Sequence, residues 1–180
     1  MSSYRIATRY AKSLIDLASE KGQLESVYKD IQSLANNVKD NRELLLMLKS
    51  PIIHADKKTS VLNKIYSGSF NELSMSFLNI IVRKHREEFL PEIAQSFVDQ
   101  YNEIHKVAVA QLVTATAVDD KTLAQATDIV KKETGATSVQ IETSIDESLI
   151  GGFVLKFNNQ LVDASIKRQL AELRKQFSLN

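Results

Sequence analysis

The 180-residue chain contains no cysteine and no tryptophan, and it has only two prolines and five glycines. The absence of cysteine excludes disulfide bonds, thiolate metal sites and cysteine nucleophiles, and it fits a reducing compartment. The three histidines, His54, His85 and His105, are far apart in the sequence, and none stands at the spacing of a metal-ligand pair. We therefore expect surface histidines and no bound metal.

An excess of charge of either sign is also missing, because 23 Lys and Arg residues balance 22 Asp and Glu residues. The resulting net charge of +1 creates no global field that would attract nucleic acid or an anionic membrane. No apolar run approaches the roughly 18 residues needed to cross a bilayer, and the N-terminus has no apolar signal core. We expect a soluble protein without a nucleic-acid partner, which contacts a membrane only through other subunits.

Apolar residues recur at helical spacing from Ile6 to Ile104 and predict six helices. The first helix spans Ile6 to Ala18, and Gly22 can end it. The third contains only apolar residues from Leu44 to Leu48, so we expect neighbours around its whole circumference.

The predicted fifth helix, Leu73 to Val82, is unusually apolar, because apolar side chains cover well over half of its circumference. Two interpretations remain open for this helix. It is either the central helix of the bundle, buried on all sides, or it fills the core with one face and offers another to an amphipathic partner helix.

At Val107 the apolar period changes from 3.6 to 2, which predicts a strand. A helix capped by Asp119-Asp120 follows, and then a second strand that points Val139, Ile141, Thr143 and Ile145 inward. Helices and strands are thus segregated along the chain. We predict an α+β fold, with a six-helix bundle over residues 1–105 and a small β-α-β-β-α domain over residues 106–180.

The stretch from Leu149 to Leu173 combines several structural signals. Two glycines release the backbone before an alternating strand, two asparagines can form the turn of a hairpin, and two polar residues can cap the last helix. A phosphate loop is disfavoured, because the glycines lead into a strand rather than into a helix N-terminus. The residues with these structural roles are Gly151, Gly152, Asn158, Asn159, Asp163 and Ser165.

No position requires a catalytic interpretation, since turns, caps and apolar packing account for every conspicuous residue. We therefore predict a non-catalytic interaction protein without a cofactor. Two alternatives remain open. A helical adaptor with an unrelated partner would show the same bundle, and a small-molecule enzyme would need a polar pocket that the sequence does not locate.

Six segments resemble the ATP synthase delta subunit family, whose mitochondrial member is the oligomycin-sensitivity-conferring protein. They span nearly the whole chain in the family's order, and each is weakly specific alone. Two lie in the C-terminal half and four in the helical half: SLIGGFVLKF (148–157), LVDASIKRQL (161–170), RYAKSLIDLA (9–18), LKSPII (48–53), FLNIIV (77–82) and LPEI (90–93).

This resemblance implies a stator subunit of F-type ATP synthase, present in one copy per complex and resisting rotary torque during proton-driven synthesis. The helical domain would bind N-terminal helices of the α subunits of the catalytic head, and the C-terminal domain would bind the b subunits of the peripheral stalk. The implied location is the cytoplasmic face of the bacterial inner membrane, as a peripheral protein, with a processed organelle protein as the alternative.

On that basis, a face of the first and fifth helices is predicted to form a groove for an α-subunit helix. Tyr10→Asp or Val82→Asp should then weaken head binding by more than ~2 kcal/mol and leave the helical content intact. The residues predicted to line this groove are Ala7, Tyr10, Leu14, Leu78, Ile81 and Val82.

Overall fold

A computed structural model describes residues 3–158 and 160–178 of the chain. The chain divides into two compact units, Met1–Tyr101 and Asn102–Asn180, close to the boundary expected at residue 105. The described helices and strands are α1 (Ser3–Glu20), α2 (Leu24–Asp40), α3 (Arg42–Lys49), α4 (Ala55–Tyr66), α5 (Glu72–Arg83), α6 (Leu90–Ile104), β1 (Val107–Thr114), α7 (Asp120–Thr134), β2 (Ser138–Ile145), β3 (Phe153–Phe157), β4 (Gln160–Asp163) and α8 (Ile166–Ser178). This order confirms the predicted α+β fold.

The first unit is a helical bundle around one apolar core to which α1–α6 all contribute. Each helix buries one stripe of apolar side chains, as the helical period of the sequence requires. Short polar residues define the helix starts: the Asn41 side chain accepts hydrogen bonds at the start of α3, and that of Asn71 does so at the start of α5. None of the described helices is both long and apolar enough to cross a bilayer.

Buried charged groups tie distant helices of this unit together. Lys58 Nζ of α4 donates to Glu87 Oε1 at 2.8 Å and to the Leu48 carbonyl oxygen at 2.9 Å. Asp30 Oδ2 of α2 accepts from the Asn71 backbone N–H at 2.8 Å and from Ser74 Oγ at 2.6 Å. These bonds join α2 to the N-terminus of α5, and α4 to the segment before α6.

A third polar contact, which is partly buried, lies between α2 and α6. The Tyr101 hydroxyl donates to Glu25 Oε1 at 2.6 Å, and the Tyr101 ring stacks on Tyr28 with centroids 3.9 Å apart. Burial, followed by the hydrogen bond to Glu25, raises the pKa of Tyr101 to about 12.

The α+β unit contains a four-stranded sheet in the order β2-β1-β3-β4. β1 pairs in parallel with β2 and antiparallel with β3, and β3 pairs antiparallel with β4. The parallel pair needs a crossover connection, which α7 supplies, and α7 packs against β1 and β2. The core lies on this face of the sheet, with Leu112, Leu155 and Phe157 among its buried side chains.

A two-residue connection, His105 and Lys106, joins α6 to β1, and Lys106 has a left-handed backbone with φ 52°. The Lys106 N–H donates to the Glu103 carbonyl oxygen at 3.3 Å, and the Lys106 carbonyl accepts from the Thr137 N–H at 3.0 Å. The connection is therefore anchored on both sides by backbone hydrogen bonds.

Two burial predictions are wrong. Leu46 of α3 is exposed, so this helix has an open face despite its run of apolar residues. Thr143 and Ile145 of β2 are exposed as well, and only Val139 and Ile141 of that strand reach the core. β2 is an edge strand, and the apolar cluster that packs beneath the sheet does not extend to its C-terminal end.

Candidate partner-binding groove

An apolar groove of about 560 Å³ lies between α1 and α5 and is here called the α1–α5 groove. Each helix contributes three apolar residues separated by four and then three positions, so each set forms one stripe of its helix. Polar residues lie mostly at the end where α1 finishes and α5 begins. The apolar lining consists of Tyr10, Leu14, Leu17, Leu73, Phe77 and Ile80, and the polar lining of Ser13, Lys21, Gln23, Asn71, Glu72 and Ser76.

Of the six residues predicted to form this groove, only Tyr10 and Leu14 line it. The structure does not place the other four in the groove. Ala7, Leu78, Ile81 and Val82 lie in the core of the bundle, with at most 1% of each exposed. The reason is the orientation of α5, which turns Leu78, Ile81 and Val82 toward the other helices. The interpretation that α5 is buried on all sides is therefore wrong, because Ile80 is 48% exposed. The interpretation that α5 offers a face to a partner helix stays a prediction.

Four apolar groove residues were not predicted from the sequence: Leu17, Leu73, Phe77 and Ile80. Leu17 is 40% exposed and Ile80 is 48% exposed, and both lie in the same groove, so they form part of one exposed apolar patch. One signal could have found them, since residues 10, 14 and 17 repeat the spacing of residues 73, 77 and 80. This spacing places each set on one face of its helix.

A second pocket, of about 330 Å³, adjoins the α1–α5 groove, because Tyr10 lines both. It is here called the arginine pocket, and its other lining residues are Ile6, Arg9, Arg86 and Phe89. It brings the start of α1 beside the segment that follows α5. The two helices therefore run antiparallel along the groove, and the arginine pocket lies at one end of it.

In the α+β unit, the paired glycines allow the chain before β3 to approach the start of α8. The Ile166 N–H donates to the Gly151 carbonyl oxygen at 3.0 Å. Gly152 has φ 74°, and a Cβ there would collide with the Ala164 carbonyl oxygen. Only glycine fits such a position without displacing the backbone of its neighbour.

The polar residues of this stretch act as predicted capping groups. Asp163 Oδ1 accepts from the Ser165 N–H at 2.9 Å, and Ser165 Oγ accepts from the Arg168 N–H at 3.2 Å. The hydrogen bonds from Ser165 lower the pKa of Asp163. Asn158 adopts φ 43° in the hairpin turn, whereas Asn159 lies outside the described residues.

Large apolar side chains are exposed around this motif. Ile150 precedes the two glycines, Leu161 lies on β4, and Ile166 and Leu170 lie on α8, with all four at least 41% exposed. Ile150 also has φ 67°, an unfavourable backbone conformation for a β-branched residue. These residues give the α+β unit apolar surface of its own.

The described residues offer no arrangement suited to metal chemistry. Within 3–158 and 160–178, no three His, Asp or Glu side chains gather in a way that could hold a metal ion. His54, His85 and His105 are all exposed. What the structure does provide is a largely apolar groove between α1 and α5.

Comparison with known proteins identifies similar chains over nearly the full length. Residues 6–177 match the family described as ATP synthase delta (OSCP) subunit. The chain is 34% identical to the ATP synthase subunit delta of Cytophaga hutchinsonii, covering 99% of this chain and 97% of that one. It is 32% identical to the chloroplastic ATP synthase delta chain of Chlamydomonas reinhardtii, covering 96% and 80%.

A solved structure shows the same similarity. A chain in the cryo-EM structure of the Toxoplasma gondii mitochondrial ATP synthase hexamer superposes with a TM-score of 0.70. The sequence identity is 26%, and the match covers 95% of this chain and 96% of that one.

Proposed function

Since the chain belongs to the ATP synthase delta (OSCP) subunit family, we propose that its α1–α5 groove binds the catalytic head of that enzyme. The chain is a non-catalytic subunit of an ATP synthase complex and has a stator role. The specific occupant proposed for the groove is an N-terminal helix of an α subunit. The b subunits of the peripheral stalk are proposed to bind the α+β unit.

The apolar lining of the groove carries the first part of this proposal. An amphipathic helix presents apolar side chains at positions i, i+3, i+4 and i+7, and the stripes on α1 and α5 form a matching surface on both sides of the groove. Burying Leu17, Phe77 and Ile80 beneath such a helix would remove apolar surface from water at roughly 25 cal/mol per Å². This supports a helix rather than a polar metabolite as the occupant.

The exposed apolar side chains of the α+β unit support the second part. Ile150, Leu161 and Leu170 are exposed on a unit whose own core lies elsewhere, beneath α7. A stalk built of helices would cover such surface. We further propose that the complex holds the chain at the cytoplasmic face of a bacterial inner membrane, in one copy, because full-length bacterial relatives are ATP synthase delta subunits.

The test is a calorimetric titration of the full chain into the purified catalytic head, including its γ subunit, from the same source. Ile80→Asp should weaken binding by about 30-fold or more, corresponding to ~2 kcal/mol, because it places a charge in the apolar groove. The matched control is Ile65→Asp, since Ile65 of α4 is 49% exposed, as Ile80 is 48%, and lies outside the groove lining.

The control should bind the head as tightly as the unchanged protein. Equal weakening by Ile65→Asp would show that any new surface charge interferes, and an unaffected Ile80→Asp variant would show that the groove is not the site. Val82→Asp is no longer a suitable probe, because it would place a carboxylate in the core and unfold the bundle.

A further inference from the structure

We propose that Arg9 and Arg86 form a binding site for a carboxylate of the helix that occupies the α1–α5 groove. This inference rests on the proposed function, because it concerns the same occupant. The arginine pocket lies at one end of the groove and shares Tyr10 with it, so a helix lying along the apolar stripes would continue over the two guanidinium groups.

The charges in this pocket are unbalanced. Arg9 and Arg86 are its only charged lining residues, and neither forms an ion pair with a carboxylate in the described part of the chain. Glu87, the acid next to Arg86, is buried and bonds Lys58 instead. The pocket thus presents two cations without a described counter-charge.

Local backbone structure holds Arg86 at this position. His85 adopts φ 53° and reverses the chain directly after α5. The His85 N–H donates to the Val82 carbonyl at 2.9 Å, and the Arg86 N–H donates to the Ile81 carbonyl at 3.0 Å, which is the hydrogen-bond pattern that closes many helices. The Arg86 guanidinium then lies 6.0 Å from the centre of the Phe89 ring.

The chemistry of the pocket favours a carboxylate as its ligand. Guanidinium groups donate in a planar fork that matches both oxygens of a carboxylate, and the apolar side chains of Ile6 and Phe89 reduce the access of water to such a pair. The opposite end of the groove differs, because Lys21 and Glu72 contribute one charge of each sign. Only the arginine end therefore selects an acidic residue, and this selection would fix the position of the partner helix along the groove.

The experiment compares full-length variants in calorimetric titrations with the purified catalytic head at low and at physiological ionic strength. The double variant Arg9→Gln/Arg86→Gln should bind roughly tenfold more weakly at low ionic strength, because the charge-assisted hydrogen bonds are lost. Its affinity should also depend less on salt. Lys39→Gln/Arg42→Gln is the matched control, since it removes the same charge from exposed residues outside both pockets.

A further variant, Arg9→Lys/Arg86→Lys, separates charge from geometry. It should recover the salt dependence but only part of the affinity, because lysine lacks the planar fork. If Arg9→Gln/Arg86→Gln binds as tightly as the control while Ile80→Asp binds about 30-fold more weakly, the carboxylate site is wrong and the groove proposal stands. If Ile80→Asp also binds normally, both proposals fail together. Far-UV circular dichroism confirms that each variant is folded.

Discussion

The two units of this protein use charged side chains in opposite ways. In the helical unit, Asp30, Lys58 and Glu87 are buried and bond groups at least 10 residues away in the sequence. In the described part of the α+β unit, carboxylates such as Asp119 and Asp146 are exposed and accept hydrogen bonds from N–H groups two or three residues away. Long-range bonds set the packing of whole helices, whereas local bonds only define where an element begins.

This difference has a physical origin. Apolar contact has no direction, so it specifies the register of two packed helices less sharply than a hydrogen bond does. A buried carboxylate that accepts from the N-terminus of another helix is directional, and it also interacts favourably with the helix dipole. Strands in a sheet are already held in register by backbone hydrogen bonds, so the α+β unit needs no such device.

Breaking the buried ion pair of the helical unit should have the largest effect. Lys58→Ala leaves Glu87 charged and without its partner in the interior, and we expect the free energy of unfolding to fall by about 3–5 kcal/mol. Urea denaturation followed by far-UV circular dichroism measures the loss. The double replacement Lys58→Met/Glu87→Leu should recover most of it, because no isolated charge remains buried.

The exposed ion pair between Lys49 and Glu92 provides the control, with a nitrogen–oxygen distance of 3.4 Å. Lys49→Ala should cost less than about 1 kcal/mol, because water screens an exposed pair. Similar losses for Lys49→Ala and Lys58→Ala would contradict the assignment of a structural role to the buried pair.

The sequence alone could not reveal this pair. Lys58 lies in the polar stretch ADKKTS and Glu87 follows a basic cluster, so both resemble solvated residues. Helical periodicity did locate the helices, because each has to bury a stripe. Periodicity could not decide which face of α5 points inward, because apolar side chains cover more than half of this helix. The prediction therefore includes Val82, which lies in the core, and omits Ile80, which lines the groove.

In the sheet, the alternation of residues predicted the two faces of each strand, but it could not predict which elements would cover those faces. Thr143 and Ile145 alternate correctly with Glu142 and Ser144, yet β2 is an edge strand whose last residues have no cover from the core. The glycine, asparagine and serine signals before α8 were more informative. They depend on local backbone geometry, which the sequence specifies without knowledge of distant contacts.

In the α+β unit, a change of backbone conformation should lower the free energy of unfolding by less than breaking the buried ion pair does. Gly152→Ala combines a positive φ with a collision against a backbone oxygen, and we expect a loss of about 2–3 kcal/mol. Gly135→Ala is the matched control. Gly135 has φ 66° at the end of α7 but open space around it, so only about 1 kcal/mol should be lost. Thermal and urea unfolding of the two variants give the comparison, and equal losses would show that the close approach at Gly152 is unimportant.

The smallest expected effects concern the dependence of stability on pH, which should differ between the two units. Hydrogen bonds from the side chain and backbone of Thr122 and Ser148 lower the pKa of Asp119 and Asp146, respectively. The stability they contribute is present above about pH 3.9 and is lost as the pH falls through their lowered values. A variant with Asn at positions 119, 146 and 163 should therefore show a flatter acid limb in urea unfolding.

The alkaline limb should belong to the helical unit. Burial raises the pKa of Tyr101 to about 12, so its contribution is complete below about pH 10 and is lost as the pH rises toward 12. Tyr101→Phe should flatten this limb and leave the acid limb unchanged. An effect of Tyr101→Phe on the acid limb, or of the triple Asn variant on the alkaline limb, would contradict this difference between the units.

The connection between α6 and β1 has a conformational consequence. Lys106 holds a left-handed backbone conformation that a glycine would adopt with less strain, and this conformation is a narrow energy well for a residue with a Cβ. A glycine would relieve the strain, but it would also populate other backbone conformations, in which residue 106 cannot bond Glu103 and Thr137 at the same time. Lysine at this position therefore accepts some backbone strain, and the φ that it adopts keeps both of its main-chain hydrogen bonds in place.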